Sequence, residues 1–244
     1  MPCVGADRRR AAREPLALTR LILIRHGQTG WNAEGRLQGR FDSHLSEVGR
    51  AQTERLAEAL AAVPLRAIYS SPLLRALDTA SVLAAPHGLR VLIVDALKEI
   101  SLGDWEGLTM DEVVARYPDR LAARRRDPLH VAPEGGETIL DVEARVLPAV
   151  HDIVAAHPGD TVAVVAHGAV NKAILLSVQG SPLSGYAGMR QDNAAINVLE
   201  WDDRGPRVVA INETGHLDGL PPPRRESSET PAARRAYTPR PPQE

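Results

Sequence analysis

Arg25-His26-Gly27-Gln28-Thr29 follows directly on the apolar run Leu21-Ile22-Leu23-Ile24. A guanidinium presents a planar fork of donors that matches phosphate oxygens. A neutral imidazole presents a ring nitrogen whose lone pair can attack phosphorus. Gly27 lets the backbone turn sharply and come close to a ligand. An Arg and a His held side by side suit phosphoryl transfer. Apolar run, His and Gly occur together a second time, where Thr161-Val162-Ala163-Val164-Val165-Ala166 ends in His167-Gly168. Alone, Arg-His-Gly is a weak motif; two such endings on one chain set it apart from a surface charge beside a polar residue. Arg75 stands where a helix begins after Ser70-Ser71-Pro72. A cation there opposes the helix dipole, which suggests that it reaches an anion.

These residues need rigid elements behind them. A short continuous apolar run reads as a strand buried on both faces. Strands are expected over 20–25, 67–70, 91–94 and 161–166. In open α/β sheets, ligands bind at the carboxyl ends of strands, which is where His26, Ser71 and His167 fall. The loop 28–45 carries Gly30, Gly35 and Gly39 and reads as irregular. Ser46 is placed to cap a helix that Pro64 stops. Apolar residues from Leu73 to Leu83 keep helical period, and Thr138 is placed to cap a long helix from Ile139 to Val154. One or two shorter helices over 109–130 carry Arg124, Arg125 and Arg126. Two last strands, 195–201 and 207–211, flank the turn Asp202-Asp203-Arg204-Gly205-Pro206. The alternation predicts a three-layer α/β/α sandwich around a mostly parallel sheet with one antiparallel edge strand.

Composition limits the function classes. The chain has 244 residues and a formal net charge of −2, so neither a nucleic-acid nor a membrane surface is indicated. No apolar run reaches spanning length. Cys3 is the single cysteine, which excludes a disulfide framework and a Cys zinc site. Residues 1–18 read as a disordered extension, 19–217 as one domain, and the Pro-rich 218–244 as a disordered tail. The expected location is the cytoplasm.

Taken together, the segments resemble the histidine phosphatase superfamily, the phosphoglycerate mutase-like fold. Arg25-His26-Gly27-Gln28-Thr29-Gly30-Trp31-Asn32 is similar to its signature. Ser70-Ser71-Pro72-Leu73-Leu74-Arg75 is similar to its second phosphate-binding segment, Leu97-Lys98-Glu99-Ile100 to its acid-donor segment, and Ala166-His167-Gly168 to its last. The resemblance implies that His26 is the nucleophile and becomes phosphohistidine. It implies that Arg25, Arg75 and His167 bind the phosphoryl oxygens, with Asn32 adding a hydrogen bond and Gly168 allowing close approach. Glu99 then protonates the leaving oxygen and later takes a proton from water, as general acid and base. No cofactor and no metal are implied, since cationic Arg residues would repel a metal held by His26, His167 and Glu99.

The same resemblance orders the functional alternatives. The interval from Glu99 to His167 is short, whereas cofactor-dependent mutases carry a longer insertion there that excludes water. A short cap favours hydrolysis. The expected activity is that of a phosphomonoester hydrolase on small phosphorylated metabolites. A phosphoglycerate mutase and a non-catalytic phospholigand-binding domain are the alternatives. The expected partner is a small phosphorylated molecule, and a homodimer is compatible. Arg124 to Arg126 and His130 are candidates for contact with an acidic substrate.

Overall fold

A computed structural model describes residues 17–221. The readings for 1–16 and 222–244 lie outside the described residues. Leu21 to Ile24 are buried in strand β1 (Thr19–Arg25), the centre of the sheet. A short helix, α1 (Gly30–Glu34), follows in the loop that reads as irregular; Thr29 caps it through a capping box with Asn32. Next come α2 (Glu47–Leu60), β2 (Leu65–Ser70), α3 (Leu74–Ala84) and β3 (Val91–Ile93). A cap of two short helices follows, α4 (Met110–Arg116) and α5 (Pro118–Arg126). The chain returns through α6 (Ile139–Ala155), β4 (Thr161–Ala166) and α7 (Gly168–Val178) to the hairpin β5 (Ile196–Asp202) and β6 (Gly205–Glu213).

Local rules account for the helix ends. Ser46 accepts from the Gly49 amide and caps α2. Thr138 and Asp141 form a reciprocal capping box on α6. α2 stops at Leu60, four residues before Pro64. α3 starts two residues after Pro72, where Asp42 accepts from the Leu74 amide at 2.7 Å.

Among the described residues, six strands form one sheet in the order β3-β2-β4-β1-β5-β6. β1, β2, β3 and β4 are mutually parallel, and the antiparallel edge is a hairpin in which β5 runs against both β1 and β6. α2 and α3 cover one face, where Ile22, Ile24, Ile68 and Val165 pack with Leu56, Ala76 and Leu83. α6 and α7 cover the other, where Leu21, Leu23, Val162 and Val164 pack with Val146, Val150 and Ile174. β1 and β4 are neighbours, yet the chain leaves β1 toward α2 and leaves β4 toward α7. Helices therefore diverge to opposite faces between these two strands, which opens a crevice at their carboxyl ends. The cap lies over it on a small cluster of its own, Trp105, Val113 and Leu121. Among the described residues, no helix is long and apolar enough to cross a membrane.

Candidate active site

The register of β1 on β4 pairs Arg25 with Ala166. The next residues along the two strands are His26 and His167, so the sheet itself sets the imidazoles side by side. The His26 amide donates to the Ala166 carbonyl at 3.0 Å. Parallel strands run about 4.8 Å apart, and the ring centroids are 5.1 Å apart at 58°. Both rings are buried.

His26 Nδ1 donates to its neighbour's carbonyl, Gly27 O, at 2.7 Å. A carbonyl only accepts, so the proton sits on Nδ1 and the lone pair on Nε2. Arg75 Nε–H points at that nitrogen from 3.3 Å. Arg75 is 1% exposed, and its outer nitrogens donate to Phe41 O at 2.9 Å and Gly39 O at 2.8 Å. Burial pushes its pKa down to about 10, with Glu99 acting against the shift, so the guanidinium is charged at neutral pH. Arg25 Nη1 donates to Gln191 O. Burial lowers the pKa of both histidines well below the usual imidazole value, and the charges of Arg75 and Arg25 add to this for each. Both rings are therefore neutral at pH 7.

His167 Nε2 is 2.7 Å from Ser71 Oγ, at the end of β2. Its other ring nitrogen, Nδ1, is buried and meets no hydrogen-bond partner among the described residues. Glu99 Oε1 accepts from the Ile100 amide at 2.9 Å, and Oε2 accepts from the Ala169 amide, in the first turn of α7, at 3.3 Å. Asn32 Oδ1 takes part in the α1 cap and accepts from Asn193 Nδ2 at 3.2 Å. Arg25, His26, Asn32, Arg75, Glu99 and Gly168 line one cavity of about 280 Å³. The structure thus brings these residues to one cavity, while His167, fully buried against His26, is not among its described lining residues. Arg124 lines the same cavity, whereas Arg125 and Arg126 are exposed outside it and His130 pairs with Asp127 at the surface.

The model of the histidine phosphatase superfamily (branch 1) matches residues 21–214. The chain belongs to this family. Phosphoserine phosphatase 1 of Hydrogenobacter thermophilus is 35% identical over 200 residues, which is 82% of this chain and 95% of that protein. The metal-independent phosphoserine phosphatase of Arabidopsis thaliana is 35% identical, over 83% of this chain and 85% of that one. A mycobacterial glucosyl-3-phosphoglycerate phosphatase, solved with VO3, superposes with a TM-score of 0.73 at 37% identity, covering 80% of this chain and 99% of that chain.

In this histidine phosphatase, further residues hold the site and escape the sequence reading. Gln191 and Asn197 exchange two side-chain bonds of 2.7 and 3.0 Å, and Asn197 Nδ2 also donates to Leu23 O at 2.9 Å. This buried pair ties the Gln191 carbonyl that receives Arg25 to the central strand. The one hint in the sequence is an amide side chain, Asn197, inside an apolar strand. Glu137 forms a second support. Its carboxylate meets Arg40 Nη2 at 2.7 Å and Arg145 Nε and Nη2 at 3.1 Å each. Both guanidiniums donate onward to the backbone carbonyl of Glu99, Arg145 at 3.1 Å and Arg40 at 3.3 Å. Glu137 also accepts from the Ser101 amide at 2.9 Å. A carboxylate paired with two guanidiniums thus fixes the loop after β3 that carries Glu99.

Glycine is required where two backbones meet. A Cβ on Gly27 would lie 2.7 Å from Gly49 O, and one on Gly49 would lie 1.9 Å from Gln28 O. The start of α2 is therefore seated directly on the turn after His26.

Proposed function

We propose that this chain hydrolyses small phosphomonoesters without a metal, through a phosphohistidine at His26, with Glu99 as general acid and base. The observation that carries the reading is the state of His26. Its proton is fixed on Nδ1 by Gly27 O, and its neutral Nε2 faces the cavity beside Arg75.

The chemistry follows from the residues in place. Arg25 and Arg75 hold the phosphoryl oxygens and offset the charge that spreads over them. Ser71 donating into His167 Nε2 puts the His167 proton on Nδ1, which then donates to a phosphoryl oxygen. Asn32, its Oδ1 occupied by the cap, offers its Nδ2–H. His26 Nε2 attacks phosphorus as the phosphorus–oxygen bond to the leaving group breaks, and Glu99 gives that oxygen a proton. Water then attacks phosphorus and loses a proton to Glu99. The phosphorus–nitrogen bond breaks, and the electron pair returns to Nε2. Gly168 opens α7 beside Arg25, where a Cβ would lie 3.6 Å from the guanidinium. The reading takes residues 19–217 as the catalytic domain and the cytoplasm as its place of action.

The test is phosphate release from p-nitrophenyl phosphate by chelator-treated protein and by H26A. Turnover by the former and none by the latter is expected. Phosphate binding without turnover between pH 4 and 9 would leave a binding domain instead. Formation of 2-phosphoglycerate from 3-phosphoglycerate and a trace of bisphosphoglycerate, faster than release of phosphate, would make the chain a mutase.

A further inference from the structure

Gln52 stands with Gly49, Thr53 and Leu56 on the buried face of α2 and is 1% exposed. Burying an amide side chain is costly unless its polar atoms find partners. Its Oε1 accepts from the Gln28 amide at 2.9 Å, in the turn just after His26. We propose that Gln52 is a positioning residue, which holds the tautomer of His26 and supports its developing charge through the one peptide group that joins Gly27 to Gln28. The proposal rests on the phosphatase reading above and deepens it.

Geometry is the first argument. A trans peptide group is planar, and its N–H and C=O point in opposite directions. The group between Gly27 and Gln28 is engaged at both ends. Gln52 receives its N–H at 2.9 Å, and its carbonyl, Gly27 O, receives the Nδ1–H of His26 at 2.7 Å. Pinning the first end therefore aims the second. The rest of the turn has anchors of its own. Gly27 N–H donates to Thr79 Oγ1 at 3.0 Å, the Ala194 amide donates to His26 O at 3.1 Å, and the Ser46 amide donates to Gln28 O at 2.8 Å. A substitution at Gln52 leaves those anchors in place and acts on the one carbonyl that faces the ring.

Charge is the second argument. As Nε2 attacks phosphorus, the nitrogen–phosphorus bond draws electrons from the ring, and positive charge spreads to Nδ1–H. The ring is buried, and Arg75 Nε–H stands 3.3 Å from Nε2, so neither water nor that cation takes up the charge. Gly27 O faces the Nδ1 proton and does. Hydrogen bonds in a chain polarise one another, so the bond from Gln28 N–H to Gln52 makes Gly27 O the better acceptor. In Ser-His-Asp triads a carboxylate orients the histidine and stabilises its charge. Here a neutral peptide group backed by a neutral amide does so, and the positive field of Arg25 and Arg75 stays whole for the phosphate.

The test pairs Q52M, which keeps the length of the side chain and removes its acceptor, with Q52E, which keeps an acceptor. Q52M is expected to lower kcat on p-nitrophenyl phosphate by about tenfold, the worth of one buried hydrogen bond. KM should change little, since Arg25 and Arg75 still hold the phosphate. Q52E should turn over close to the wild-type rate. Heteronuclear NMR of the resting proteins reads the relay directly. The His26 Nδ1–H resonance, assigned by its loss in H26A, should move upfield and exchange faster with water in Q52M and not in Q52E. A role in packing alone would lower the unfolding midpoint and leave that resonance in place. An unmoved resonance or an unchanged kcat in Q52M overturns the proposal, as does a loss in Q52E as large as that expected of Q52M. Should Q52M alone fail to fold, Q52E decides by the same two readings; failure of both to fold assigns Gln52 to the core and overturns the relay. Wild-type protein without turnover overturns the phosphatase reading, and the ring resonance still tests the relay.

Discussion

Glu137 and Arg145 meet through two parallel bonds of 3.1 Å, and the same guanidinium reaches the carbonyl of Glu99. A carboxylate that touches no part of the cavity thus holds the backbone of one that lines it. Glu137 is a positioning residue in this arrangement. E137Q removes the charge that keeps Arg40 and Arg145 together. A drop of about tenfold in kcat is expected on alkyl phosphates, since small displacements of a reacting group are costly. The loss should be smaller on p-nitrophenyl phosphate, whose leaving group needs no proton. A purely structural role would lower both substrates alike.

Glu99 itself should show that leaving-group signature in full. General acid catalysis is worth on the order of 10² to 10⁴. E99Q is expected to cut turnover of alkyl phosphates by about 10² or more and that of p-nitrophenyl phosphate far less. Equal losses on activated and unactivated esters would remove Glu99 from the acid role.

Acid should destabilise the fold through its paired imidazoles. His26 and His167 are buried, and burial together with Arg75 lowers both pKa values well below 6.5. Unfolded, each titrates near 6.5. Below that pH the unfolded chain binds protons that the folded one does not, so the sign favours unfolding. This stability is complete above about pH 6.5 and is lost on acidification, by about 1.4 kcal/mol per pH unit for each histidine until the folded pKa is reached. Urea unfolding at pH 7.0 and 5.5 checks this. H167Q should flatten the dependence by about one histidine's share; an unchanged slope would show that the buried ring does not stay neutral.

Gly49 should be intolerant of any side chain. Its Cβ would sit 1.9 Å from the Gln28 carbonyl, which the backbone must move to clear. G49A is expected to cost about 1–3 kcal/mol, as overpacking does, and to displace the turn that carries His26. Denaturant midpoint and kcat should fall together. A stable variant with reduced activity would also fit a moved turn, whereas wild-type stability and activity would show that α2 shifts freely.

Much of this was legible in the linear chain. β1 and β4 read as strands because a strand buried on both faces is a continuous apolar run. Ser46 and Thr138 marked helix starts because their hydroxyls cap by local bonds. Arg75 drew attention as a cation in the first turn of α3, where the dipole opposes it. α1 was not legible: five residues among glycines carry no periodicity, and the Thr29–Asn32 capping box forms without an apolar face. Arg40, Glu137 and Arg145 could not be picked out from the chain, since their meeting spans up to 97 positions.

The sequence by itself determined which side chains stand at the ends of the central strands, because burial of the run before each is a local property of composition. It therefore named His26, Arg25, His167 and Gly168 without coordinates. Tertiary structure alone decided that β1 lies next to β4 in a register that pairs Arg25 with Ala166. It also decided that Arg25 reaches Gln191 across 166 positions, and that Arg124 turns into the cavity while Arg125 and Arg126 do not. Pairing order and helix rotation depend on contacts between distant parts of the chain, and no local pattern of residues encodes them.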